Sequence, residues 1–134
     1  MRFLDSWVWL EFLFDGEAAD DAEAAIQRAN TPPRRTHRRR RGVLRLRVVD
    51  GAEPAEEAVR AIRDYEHVES LPLVDEVADY AAELRHDSYG SGERELSYAD
   101  AIHLATAVLH DDCGVLYTGD PDFEVVDEIE TVVL

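Results

Sequence analysis

Short apolar strands alternate with helices along this chain, and that alternation admits few folds. RFLD at 2–5, residues 68–71, GVLYT at 114–118 and TVVL at 131–134 read as strands. Helical patterns fill the spaces between them, at WVWLEFLF after Ser6, at 17–30, 53–68, 73–87 and 96–112. Such an order predicts a parallel sheet covered on both faces. We therefore expect an α/β fold, a central parallel sheet of about four to five strands flanked by helices in three layers. The 134 residues, 46% of them apolar, suit one domain spanning 1–134.

Local signals sharpen the boundaries. Ser6 is a good N-cap residue and Gly16 a stop. Val59 and Ile62 face inward on one helix, and Val74, Val77, Ala81 and Leu84 keep the helical period on another. SYGSGERE at 88–95 is rich in turn formers, Gly114 is a plausible cap, and GDPDF at 119–123 reads as a turn. The apolar N-terminal stretch is broken by Asp5 and Glu11 and is too short to span a bilayer. It lacks the basic region and small-residue cleavage site of a signal peptide. The single Cys113 makes no internal disulfide, so a cytoplasmic protein without membrane contact is the expectation.

Thirty acids stand against 14 bases, and every base is arginine. A surface of this kind suits molar salt, where screening removes self-repulsion. The composition fits a halophilic source. It also makes the chain a poor generic binder of polyanions, which it would meet through local arginines, bound metal or high salt.

Three aspartates stand where such a fold gathers ligands, beyond the carboxyl ends of its strands. Asp5 ends the first strand. Asp120 follows the strand GVLYT, with Asp122 two residues on. Asp100 lies in the first turn of SYADAIHLATA, the longest run of small and apolar residues. Carboxylates meeting at one point do not all stay ionised without a cation. Oxygen-only ligation selects Mg²⁺ or Mn²⁺ over zinc, and such a site activates water and holds phosphodiester oxygens. Each signal also has a plain explanation. Ser97-x-x-Asp100 fits a capping box, Asp5 before Ser6 fits helix-start chemistry, and GDPD fits a turn. Glu11 reads as an exposed helix residue, and His103 as packing or rim rather than a ligand.

Three blocks together resemble the PIN-domain nucleases found as VapC toxins of toxin–antitoxin pairs. They are the apolar strand ending in Asp5 and followed by Ser6, LSYADAIHLATAVLH at 96–110, and VLYTGDPDF at 115–123. The resemblance implies a Mg²⁺- or Mn²⁺-dependent endoribonuclease with Asp5, Asp100 and Asp120 as catalytic metal ligands. It makes Asp122 a further candidate ligand and Thr118 a residue that orients one. On this reading Asp100 faces the sheet edge and Ser97 caps its helix alone. RNA substrate, a small antitoxin partner and homodimerisation are implied as well.

One stretch departs from the pattern. The family places a further acid, usually Glu, in a short hydrophobic strand-to-helix segment after the second helix. Here TPPRRTHRRRRGVLRLR occupies 31–47, with eight of the 14 arginines between 34 and 47 and no acid from Glu23 to Asp50. Prolines and an arginine run do not make a buried strand, so the second strand is expected to be missing. Three explanations remain open: a basic patch that grips phosphates, a disordered solvated loop, or a reading-frame shift that turned aspartate codons into arginine codons. Arg85, Arg94 and the arginine tract are candidates for holding substrate. Loss of the acid also admits a second reading, a catalytically degenerate binding protein on the same fold.

Overall fold

The computed structural model describes residues 1–30, 42–44, 59–65, 68–91 and 96–134. Its sheet has five strands, all parallel, in the order β3-β2-β1-β4-β5. They are β1 (Arg2–Leu4), β2 (Gly42–Leu44), β3 (Val68–Ser70), β4 (Val115–Thr118) and β5 (Glu130–Val133). The helices are α1 (Ser6–Leu13), α2 (Ala19–Asn30), α3 (residues 59–63), α4 (Asp75–Ser91) and α5 (Tyr98–Leu109). No helix among the described residues is long and apolar enough to cross a membrane.

Side-chain alternation on the central strands divides the core in two. Phe3 and Leu116 turn to one face, where Val77, Ala81 and Leu84 of α4 and Ala101, Leu104 and Ala105 of α5 cover them. Leu4 and Tyr117 turn to the other, against Val8 and Trp9 of α1, Ala22, Ala25 and Ile26 of α2, and Ile62 of α3. The layers are thus helix, sheet, helix. Residues 101 and 103–107 of α5 are all buried, which is why this helix carries apolar and small residues around most of its circumference.

Several local expectations are corrected. The second strand is present: Val43 and Leu44 pair with Phe3 and Leu4 on one side and with Glu69 and Ser70 on the other. Three residues, GVL, suffice, because they follow the arginine run rather than include it. The rest of 31–47 lies outside the described residues. Asp5, in extended conformation, is the N-cap of α1, and Ser6 is its first helical residue. Helix α4 runs on to Ser91, through the front half of the turn-rich stretch. Val74 precedes that helix and is exposed. Glu11, half-buried, accepts a hydrogen bond from the Ala18 amide at 3.1 Å and so ties α1 to the start of α2.

Parallel pairing fixes which strand ends lie together. Leu4 is opposite Tyr117, and the Asp5 amide donates to the Tyr117 carbonyl at 2.9 Å. Asp5 therefore emerges beside Thr118, and the chain leaving β4 must turn away immediately. Gly119 permits this by lying flat on Trp7: a Cβ there would stand 2.3 Å from the indole Cδ2. A one-turn 3₁₀ helix (Pro121–Val125) follows, anchored by the fully buried Phe123. Because the indole ring is no flexible tail that swings aside, Gly119→Ala is expected to lose about 1–3 kcal/mol of stability to overpacking. Urea unfolding of the two proteins checks this, and equal midpoints would mean that the turn yields freely.

Candidate active site at the carboxyl edge of the sheet

Asp5 is the centre of the edge where β1 and β4 end. It is only 5% exposed, yet its carboxylate does not cap the helix that it begins. Instead it faces three side chains. Thr118 donates to Oδ2 at 2.8 Å, Ser6 donates to Oδ1 at 3.1 Å, and His103 Nδ1 stands 2.8 Å from Oδ1. His103 is 4% exposed, with its ring tilted against Phe3 at 5.8 Å between centroids. Its approach to Asp5 is close but off-axis. No acceptor lies along the Nδ1–H direction, so the ring meets the carboxylate electrostatically rather than through an aligned hydrogen bond.

Burial pushes the Asp5 carboxyl upward, but the His103 imidazole and the Thr118 and Ser6 hydroxyls outweigh it, and the group ends below its ordinary value. A buried acid kept ionised by neighbours from three elements is the electrostatic signature of this edge.

Thr118 serves two segments at once. While donating to Asp5, its Oγ1 accepts from the Asp120 amide at 3.1 Å. The hydroxyl thereby joins the end of β1 to the turn after β4. The Asp120 carboxylate accepts from the Asp122 amide at 2.9 Å and caps the 3₁₀ turn, while Asp122 itself is exposed.

At the start of α5, Ser97 and Asp100 form a reciprocal capping box. The Asp100 amide donates to Ser97 Oγ, and the Ser97 amide donates to Asp100 Oδ2, each at 3.2 Å. This corrects the expectation that Ser97 caps the helix alone, since the Asp100 carboxylate shares the task. Asp100 still lies one turn before His103, and residues three apart share a helix face. Helix α5 thus reaches Asp5 through His103.

The structure thus brings together Asp5, Thr118, Ser6, His103 and the backbone of Asp120. Among the described residues, no group of three or more His, Cys, Asp or Glu side chains is placed to hold a metal ion. The donor chemistry of Asp5, Asp100 and Asp120 fits a hard divalent cation, because all three are carboxylates. Their oxygens are engaged by protein donors instead: Thr118 and Ser6 on Asp5, the Ser97 amide on Asp100, and the Asp122 amide on Asp120. His103 is the residue that sequence reasoning underrated. A histidine in the buried run of α5 needs a polar neighbour, but that neighbour is at the other end of the chain.

The sequence model of the PIN domain family matches residues 2–129. A comparison with curated proteins finds no match. Among solved structures, the chain is similar to VapBC2 from Rickettsia felis, crystallised with a DNA fragment from their promoter. The two are 10% identical, the alignment covers 99% of this chain and 98% of that one, and the TM-score is 0.69. At that identity the likeness speaks for the fold.

The lowered Asp5 carboxyl links stability to pH with a definite sign. A depressed folded-state value contributes stability that is complete above the ordinary value of 3.8 and is lost as pH falls through the lower, folded value. Asp5→Asn removes this contribution. Urea midpoints measured from pH 6 downward are expected to fall less steeply with acid in Asp5→Asn than in the unaltered chain. Parallel acid limbs would contradict the lowered carboxyl.

Proposed function

The chain belongs to the PIN domain family, and on that premise we propose that it is a Mg²⁺- or Mn²⁺-dependent endoribonuclease acting as the toxin of a toxin–antitoxin pair. The observation that carries this reading is the convergence on Asp5 of the ends of β1 and β4 and a side chain of α5. Asp5, Asp100 and Asp120 would hold the ion, with Asp122 beside them. When bound, such an ion lowers the pKa of water and offsets the charge that develops on a phosphodiester.

The chain's own residues prepare this in three ways. Thr118 and Ser6 fix the orientation of the Asp5 carboxylate, and a fixed donor loses less entropy on binding. His103 sets its Nδ1 2.8 Å from the Asp5 carboxylate on the buried side, where water does not reach it. The capping box keeps Asp100 at the helix start without burying it, so that it can exchange the Ser97 amide for another partner. The small antitoxin partner and the homodimer belong to the same proposal. VapBC2 of Rickettsia felis, crystallised on promoter DNA, has this fold.

A second reading has its own support. No acid stands between Glu23 and Asp50, where the family places one, and Asp5, Asp100 and Asp120 accept from protein donors. A catalytically degenerate binding protein on the same scaffold fits both facts.

Cleavage of unstructured RNA at molar KCl separates the two. The nuclease reading expects cleavage with Mg²⁺ or Mn²⁺ and none with EDTA. Asp5→Asn, Asp100→Asn and Asp120→Asn are each expected to lower it by about a hundredfold or more, the scale set by misplaced reacting groups. Metal-dependent cleavage undiminished in Asp100→Asn would overturn the assignment, and no cleavage under any ion would favour the degenerate protein.

A further inference from the structure

We propose that Tyr98 and Arg85 form a stacking platform for one base of single-stranded RNA beside Asp100, an inference that rests on the nuclease reading. Tyr98 opens α5 and is 62% exposed, more than any other large hydrophobic side chain among the described residues. An exposed aromatic is ordinary by itself. This one is organised from outside its own helix. The Arg85 guanidinium, from α4, lies over the ring at 3.7 Å from its centroid. Arg85 Nε also donates to the Leu96 carbonyl at 3.3 Å, so the cation is pinned to the approach of α5 from two sides.

The charge of the whole molecule gives the pair its purpose. A chain with net charge −16 repels a polyanion, and molar salt weakens whatever phosphate contacts its arginines make. Base stacking is the attraction that survives both conditions. It needs an exposed π-face, strengthened by a guanidinium, and it tolerates any base. Tyr98 lies two residues before Asp100, about 3 Å along the helix axis. Both residues stand in the first turn of α5, just after the exposed N-cap Ser97. A strand crossing that helix start would rest a base on Tyr98 while presenting a neighbouring phosphate toward Asp100, and Arg85 would supply a positive charge at the ring.

The test measures binding of two short fluorescent oligoribonucleotides by anisotropy, in EDTA and molar KCl so that nothing is cut. One carries bases, and the other is abasic with the same backbone. Tyr98→Ala is expected to weaken the base-bearing oligomer by about tenfold and leave the abasic one unchanged, whereas Tyr98→Phe stays within about twofold of the unaltered chain on both. Arg85→Ala weakens the base-bearing oligomer as well. Thermal unfolding of each variant shows that it is folded, and loss of stability alone would move both oligomers together. A base-to-abasic ratio unaffected by Tyr98→Ala, in a chain that cleaves RNA with metal, would overturn the platform and leave the nuclease reading standing. A chain that neither binds nor cleaves RNA would overturn both. Unchanged RNA binding with a shift from dimer to monomer in sedimentation would reassign Tyr98 to a protein contact.

Discussion

Asp5 is a carboxylate held almost out of water, and the carboxyl edge of the sheet is built around keeping it ionised. Removing such a charge from water costs several kcal/mol, so it persists only where neighbours compensate. Thr118, Ser6 and His103 supply that compensation from β4, α1 and α5. The same contacts register three elements against one another. Phe3 and Leu116 on one face and Leu4 and Tyr117 on the other would hold the layers together without any of them. The polar knot therefore adds position rather than cohesion, and position is what a site for chemistry requires.

The knot also bears on how a cation would be received. Asp5, Asp100 and Asp120 each have a protein partner. An entering ion must compete with Thr118 and Ser6 at Asp5, with the Ser97 amide at Asp100, and with the Asp122 amide at Asp120. Mg²⁺ retains waters readily and tolerates few protein ligands. A chain lacking the further acid would thus bind it weakly, and its affinity would depend on how cheaply the capping box releases Asp100. The acidic surface acts in the same direction as such a site, by concentrating cations near the molecule.

The architecture was legible because it is written in local patterns. Strand and helix periods, the acids and arginines, and turn formers such as GDPDF are read within a few residues of one another. Asp5 and Asp120 were placed at one edge by the rule that parallel strands end together, and the pairing of Leu4 with Tyr117 agrees. What escaped depends on partners remote in sequence. The role of His103 needs Asp5, and the freedom of Asp5 from helix capping needs Thr118. The strand Gly42–Leu44 was hidden for a different reason: three residues are too few to show a period, and the arginines beside them dominate the composition. The capping box at Ser97 and Asp100 was visible as a pattern, but the sequence alone does not say whether that carboxylate serves the helix or a ligand.

The central claim is that aspartates far apart in the chain share one divalent ion. Calorimetric titration with Mn²⁺ at molar KCl tests it without relying on activity. The account predicts a single saturable Mn²⁺ per chain, lost in Asp5→Asn, in Asp100→Asn and in Asp120→Asn alike, and kept in a control at the exposed Asp64. Mn²⁺ uptake that is absent, or that survives any of the three substitutions unchanged, would contradict it.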